Sequence, residues 1–185
     1  MLEATEKTAL LVMDVQPGVI ERLPNPDEYV ANVRTAVDYA HEHQIPIIFV
    51  VMGFRAGLPE VSPRNKTFST LKDAASRLVD PRPSIAAIGS DVVVVKRRVS
   101  AFTGSDLEVV LRAGNVGHLV LCGIATSGVV LSTVREASDK DYRITVLSDL
   151  CADPDPHVHA VLLEKVFPRQ ADVTTSAAWM SEGPT

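Results

Sequence analysis

The chain has 185 residues, 46% hydrophobic and 22% charged, with a net charge of −5 and a pI near 5.5. That size suits a single domain, expected over residues 1–185, with enough apolar surface to offset the entropy of ordering the chain. The acidic balance argues against nucleic-acid partners and against a basic patch for anionic membranes, and no apolar run reaches the roughly 18 residues that span a bilayer.

Residues 1–7 hold two glutamates and one lysine and lead into no secretory apolar segment, so a cytoplasmic location is expected. Residues 8–14 form a short apolar run that ends on Asp14 and predict a first strand. Residues 27–44 repeat Val30, Val33, Val37 and Ala40 at helical spacing, with Pro26 and Asp27 suited to a first turn. A second strand follows over 45–51. Residues 53–90 carry Pro59, Pro63, Pro81 and Pro83 and predict an irregular region with at most short helices, of the kind that shapes a site. Residues 91–96 predict a third strand, 106–113 a helix and 118–123 a fourth strand. Next come a helix over 127–140, a fifth strand over 142–148, a helix over 156–166 and a weaker sixth strand over 171–175. The strands are rich in Val and Ile without polar alternation, which suits burial on both faces. Strand–helix alternation therefore predicts an α/β fold: a three-layer α/β/α sandwich around a six-stranded, mainly parallel sheet with right-handed crossovers.

In such a sheet, ligands bind beyond the carboxyl ends of the strands. Asp14 ends the first strand and Lys96 the third; the loop over 123–128 leaves the fourth, and Asp149 and Cys151 follow the fifth. A charged residue ending an apolar strand needs a partner, and Asp14 and Lys96 are candidates to pair with each other. The pair is either a structural salt bridge or an acid or base tuned by the lysine. The loop Gly123-Ile-Ala-Thr-Ser-Gly128 either turns its N–H groups on an anion or is an ordinary strand-to-helix turn capped by Thr126 or Ser127. Arg97 and Arg98 are either carboxylate ligands or a solvated edge. Phe54 and Phe102 are pocket walls or core, and Trp179 anchors an interface or covers the sheet edge. The two cysteines are expected to be free thiols: Cys122 lies inside a strand as inert core, and Cys151 is either a small packed core residue or one that approaches the same mouth. No Gly-x-Gly-x-x-Gly follows the first strand and no P-loop occurs, which disfavours dinucleotide and P-loop nucleotide sites.

Four segments in order carry a resemblance. They are Ala9-Leu-Leu-Val-Met-Asp-Val-Gln16, Val95-Lys-Arg-Arg-Val-Ser-Ala-Phe-Thr-Gly-Ser-Asp-Leu107, Leu119-Val-Leu-Cys-Gly-Ile-Ala-Thr-Ser-Gly-Val-Val130, and Ser148-Asp-Leu-Cys-Ala-Asp153 with His159. Together they resemble the isochorismatase-like hydrolases over nearly the whole chain. The resemblance implies that family's Rossmann-like fold and a non-proline cis peptide at Ile124–Ala125. It also implies an Asp–Lys–Cys triad, in which Asp14 matches the acid–base residue and Lys96 the lysine. Aligned on Gly123, the family's nucleophilic cysteine falls on Val129, which cannot attack a carbonyl. The histidines that hold metal in nicotinamidases have no counterpart among His41, His43, His118, His157 and His159, so no metal and no cofactor is expected.

The resemblance thus implies a small-molecule hydrolase working without the family thiol. Asp14 and Lys96 do the acid–base chemistry, backbone N–H groups of residues 127–129 hold a substrate oxygen, and Gln16, Phe54, Phe102, Ile124, Ala125, Thr126, Ser127 and Gly128 contact substrate. The alternatives are a catalytically silent member that binds a metabolite or protein partner, and a hydrolase using Cys151 instead. Relatives usually assemble, so a homo-oligomer with a small-molecule substrate, and no nucleic acid or membrane, is expected.

Overall fold

The protein is described here by a computed structural model covering residues 6–70 and 81–183. Six strands, β1 (Lys7–Met13), β2 (Ile47–Met52), β3 (Val92–Lys96), β4 (Val116–Ile124), β5 (Arg143–Ala152) and β6 (Asp172–Thr174), form one sheet. Their order is β3-β2-β1-β4-β5-β6, and every neighbouring pair is parallel. The helices are α1 (Pro26–Glu42), α2 (Lys66–Ser69), α3 (Leu107–Ala113), α4 (Leu131–Asp139), α5 (Pro156–Val161) and α6 (Ser176–Glu182).

The continuous apolar strands follow from helices covering both faces. In β1, Ala9, Leu11 and Met13 point to one core with α3, α4 and Phe167. Leu10 and Val12 point to the other, with Val33, Ala36, Val37 and Ala40 of α1 and Trp179 of α6. Each such fully buried large side chain contributes about 1.5–3 kcal/mol relative to exposure. Among the described residues no helix is long and apolar enough to cross a membrane.

Several boundaries depart from the sequence reading. β5 runs through Ala152, so Asp149 and Cys151 lie within the strand, and Cys151 pairs with Gly123 across an irregular register. The helix expected from residue 127 begins as a π-helical turn over Thr126–Val130, with Val130 N–H bonded to Ala125 O five residues back, before α4. Neither Thr126 nor Ser127 caps it through a side chain. The helix expected over 156–166 is regular only as α5, where the Asp155 carboxylate accepts from the N–H groups of His157 and Val158. A π turn (Leu162–Val166) follows it. The C-terminal α6 was not foreseen; Thr175 caps it through a bond from Ala178 N–H. The irregular 53–90 region holds the single turn α2, and residues 71–80 of it lie outside the described residues.

Candidate active site

The strand order places a topological switch between β1 and β4. The chain leaves β1 toward β2 on one side and β4 toward β5 on the other, opening a crevice at their carboxyl ends. Asp14 stands at this point with φ 56°, a left-handed conformation that Asp tolerates better than most side chains. Its N–H still pairs with Val50 O at 2.8 Å, and its own carbonyl accepts from Gln16 N–H at 2.9 Å, so the chain turns sharply off the sheet. On β4, Gly123 has φ 148°, and a Cβ there would lie 2.1 Å from Met13 O. Only glycine lets the two backbones approach so closely beside Asp14. The next peptide, Ile124–Ala125, is cis.

Lys96 ends β3, two strands away, and its long stem carries Nζ to 2.9 Å from Asp14 Oδ2. Nζ also donates to Arg98 O at 3.0 Å. Lys96 is fully buried and Asp14 is 4% exposed. Burial pushes the Asp14 carboxyl above its ordinary value of 3.8; Lys96 pulls it back, but by less. Asp14 Oδ1 is buried and, among the described residues, has no hydrogen-bond partner. The arrangement is a buried carboxyl group with one oxygen fixed by a cation and the other without a partner among the described residues.

Asp14 and Lys96 both line a cavity of about 270 Å³. Of the residues singled out in the sequence, Ile124, Ala125, Gly128 and Val129 join them there. The others do not. Gln16 is buried, and its amide bridges the Met52 backbone, accepting from N–H at 2.8 Å and donating to the carbonyl at 3.2 Å. It clamps the end of β1 to β2. Phe54 packs edge-on against Phe68, with ring centroids 5.7 Å apart. Phe102 lies in the core against Tyr142, below the Lys140 ammonium. Thr126 is hydrogen-bonded to His159 Nδ1 at 2.8 Å. Ser127 is exposed, and its N–H is occupied by Asp153 Oδ2 at 2.7 Å; Gly128 N–H is taken by Ala125 O. Two of the three N–H groups expected to hold a substrate oxygen are therefore committed within the protein.

Arg97 and Arg98 belong to neither alternative expected of them. Arg97 donates to Gly53 O and pairs with Glu60, while Arg98 donates to Glu60 O, so both strap the loop after β2 to β3. Cys122 is buried and bonded to Leu11 O. Cys151 does not line the cavity, and burial pushes its thiol up to about 12, away from the thiolate a nucleophile needs.

The remaining lining was not foreseen. It comes from the turn after β1 (Pro17, Gly18, Val19, Arg22, Leu23), from Met52, Thr67, Phe68 and Val99, and from Pro154. The turn includes one 3-10 turn (Ile20–Arg22), whose N–H groups bond back to Gln16 and Val19 carbonyls. Its one signal in the sequence was Pro17-Gly18 directly after a carboxylate-ended strand, a turn that had to fold over the switch point.

Comparison with known proteins gives a consistent picture. The model of the isochorismatase domain family matches residues 8–178. The isochorismatase family protein YecD of Escherichia coli O157:H7 is 31% identical over 179 residues, 94% of this chain and 95% of the relative. A protein of Arabidopsis thaliana described as a probable inactive nicotinamidase is 30% identical over 173 residues, 86% of this chain and 87% of its own. Among solved structures, an isochorismatase family protein of Burkholderia thailandensis superposes with a TM-score of 0.80 at 27% identity, covering 95% of this chain and 94% of that one.

Proposed function

This chain belongs to the isochorismatase family, and we propose that it is a small-molecule hydrolase of that family that works through Asp14 and Lys96 without a thiol. The observation that carries the reading is the buried Asp14–Lys96 pair on an apolar cavity, with Asp14 Oδ1 uncommitted. An oxygen free to exchange a proton is what an acid–base role requires, and Oδ1 has no partner among the described residues.

In the position that aligns with the family cysteine, Val129 offers only methyl groups to the cavity. Covalent acyl transfer from this position is excluded by chemistry. The step left to the site is direct addition of water. Protonated Asp14 donates its proton from Oδ1 to the departing or unsaturated centre of the substrate. A water molecule supplies hydroxide to the adjoining atom, and its remaining proton returns to the carboxylate. Lys96 stays charged throughout, holding Oδ2 and stabilising the carboxylate formed after donation. Burial favours the protonated starting form, and Lys96 favours the ionised one. General acid–base catalysis of this kind contributes about 10²–10⁴ in rate.

The test compares wild type with Asp14→Asn on a cytoplasmic metabolite extract by mass spectrometry. A compound consumed by the wild type alone, with the mass change of water addition or of cleavage into two fragments, is the expected result. Identical extracts after both incubations would move the assignment to a second reading, a silent member that binds a metabolite. That reading is favoured by Val129 and by the likeness to the Arabidopsis protein described as inactive.

A further inference from the structure

Among the described residues, the cavity is lined by three charged side chains: Asp14, Lys96 and Arg22. One negative and two positive groups leave it with a charge of +1, in a chain whose net charge is −5. Asp14 and Lys96 answer each other at 2.9 Å, so the uncompensated charge is that of Arg22. Arg22 is exposed on the turn after β1, and among the described residues its guanidinium has neither an ion pair nor a hydrogen bond. Other arginines nearby are engaged: Arg55 and Arg97 with Glu60, and Arg98 with backbone carbonyls. The walls are apolar, formed by Leu23, Met52, Phe68, Val99, Ile124 and Val129.

We propose that Arg22 is a specificity-determining residue that takes the carboxylate of a small substrate with an apolar body. The rest follows from the reading of this cavity as the substrate site. The substrate's single ring or short branched chain fills the apolar walls, its carboxylate stays at the rim on the guanidinium fork, and its reacting centre meets Asp14. A carboxylate suits the site better than a phosphate. One planar fork matches two oxygens, whereas a phosphate presents three terminal oxygens and about two negative charges, and the walls around Arg22 are mainly apolar, with the Thr67 hydroxyl the one other neutral side-chain donor among the described lining residues. When Asp14 is protonated for its role as acid, Lys96 loses its counter-charge and the cavity becomes more positive. An anionic substrate thus binds best to the form of the enzyme that is ready to donate a proton.

The test reads binding, so that it is separable from turnover. Benzoate and 3-methylbutanoate, each with its neutral amide, are titrated calorimetrically into wild type, Arg22→Gln, Arg22→Lys and Asp14→Asn. The expected result is that wild type prefers each acid to its amide. Arg22→Gln weakens the acids by about ten-fold and leaves the amides unchanged, and Arg22→Lys falls between. Unchanged melting temperatures would show that the variants fold, as the exposed position of Arg22 leads one to expect. Equal binding of acids and amides, absence of acid binding to wild type at millimolar concentration, or indifference to Arg22→Gln would each overturn the proposal. Asp14→Asn separates the two claims. If it keeps Arg22-dependent acid binding but hydrolysis is never found, the carboxylate subsite stands and the hydrolase reading falls. If wild-type turnover is found and Arg22→Gln matches it on every substrate, the reverse holds.

Discussion

Replacing Lys96 by methionine keeps most of the stem's volume and removes the charge that answers Asp14. Lys96 is fully buried, Asp14 is 4% exposed, and their charged atoms lie 2.9 Å apart. Removing one partner of such a pair leaves an uncompensated buried charge and costs about 3–5 kcal/mol. For a chain of this size that lowers the melting temperature by roughly 10 °C. The carboxyl has an escape, because it can take up a proton. Asp14 already has its folded value raised above 3.8 by burial, and losing Lys96 removes the largest influence that pulls it down, leaving only the weaker one of the Met52 backbone. A carboxyl raised on folding contributes stability that is fully present below its unfolded value and lost as pH rises through its folded value. The Lys96→Met deficit should therefore be smaller near about pH 4 than near about pH 8. Urea unfolding of wild type, Lys96→Met, Asp14→Asn and the double variant measures this, and the double variant should recover much of the loss because it leaves no buried charge. A Lys96→Met deficit below about 1 kcal/mol, or one that grows in acid, would mean that Lys96 does not compensate a buried Asp14 charge.

Gly123→Ala should destabilise the fold by about 2 kcal/mol or more, since its Cβ would sit 2.1 Å from Met13 O and its φ is 148°; thermal unfolding and any loss of turnover through the displaced Asp14 report it. Val129→Cys places a thiol on the cavity, and intact mass after incubation with an activated acetate ester should show one added acetyl group absent from wild type; an unmodified thiol would mean that the position does not face the reacting centre. Burial, with Arg143 beside it, holds His118 down to about 4, while its Nε2 bonds Thr145 Oγ1 at 2.9 Å. A value depressed on folding contributes stability that is present above about 6.5 and lost as pH falls through about 4, so an NMR titration should find His118 neutral at pH 5, and a value near 6.5 would contradict the buried network.

How much of this was legible follows from what each signal encodes. The apolar runs marked β1 to β5 because a sheet largely covered on both faces favours Val, Ile and Leu along each strand, whereas β6, Asp172–Thr174 at the sheet edge, is short and exposed to half-buried and so carried a weaker signal. Asp14 and Lys96 stood out because a charge closing such a run has no benign place to go. Side-chain direction was not legible. Phe102 follows Lys96 by six residues, yet the turn after β3 sends its ring to Tyr142 in the core, away from the cavity. Gln16 follows Asp14 by two, but the left-handed turn at Asp14 sends its amide to Met52. Ser127 looked like an anion donor because its N–H opens a helix, and only the fold brings Asp153, 26 residues on, to occupy it. Arg22 and Leu23 left no periodic trace, since a 3-10 turn over a pocket mouth has no repeating face. The helix over 176–182 is short enough that its Thr175 cap was its main signature.

Asp14, without a thiol, is proposed to do the chemistry. The most direct measurement follows the compound identified from the extract in heavy-oxygen water, with wild type, Asp14→Asn and Cys151→Ala. One labelled oxygen is expected in the wild-type products, with a rate for Asp14→Asn lower by about 10²–10⁴ and a Cys151→Ala rate within a few-fold of wild type. Undiminished turnover by Asp14→Asn, or its loss in a folded Cys151→Ala, would contradict it.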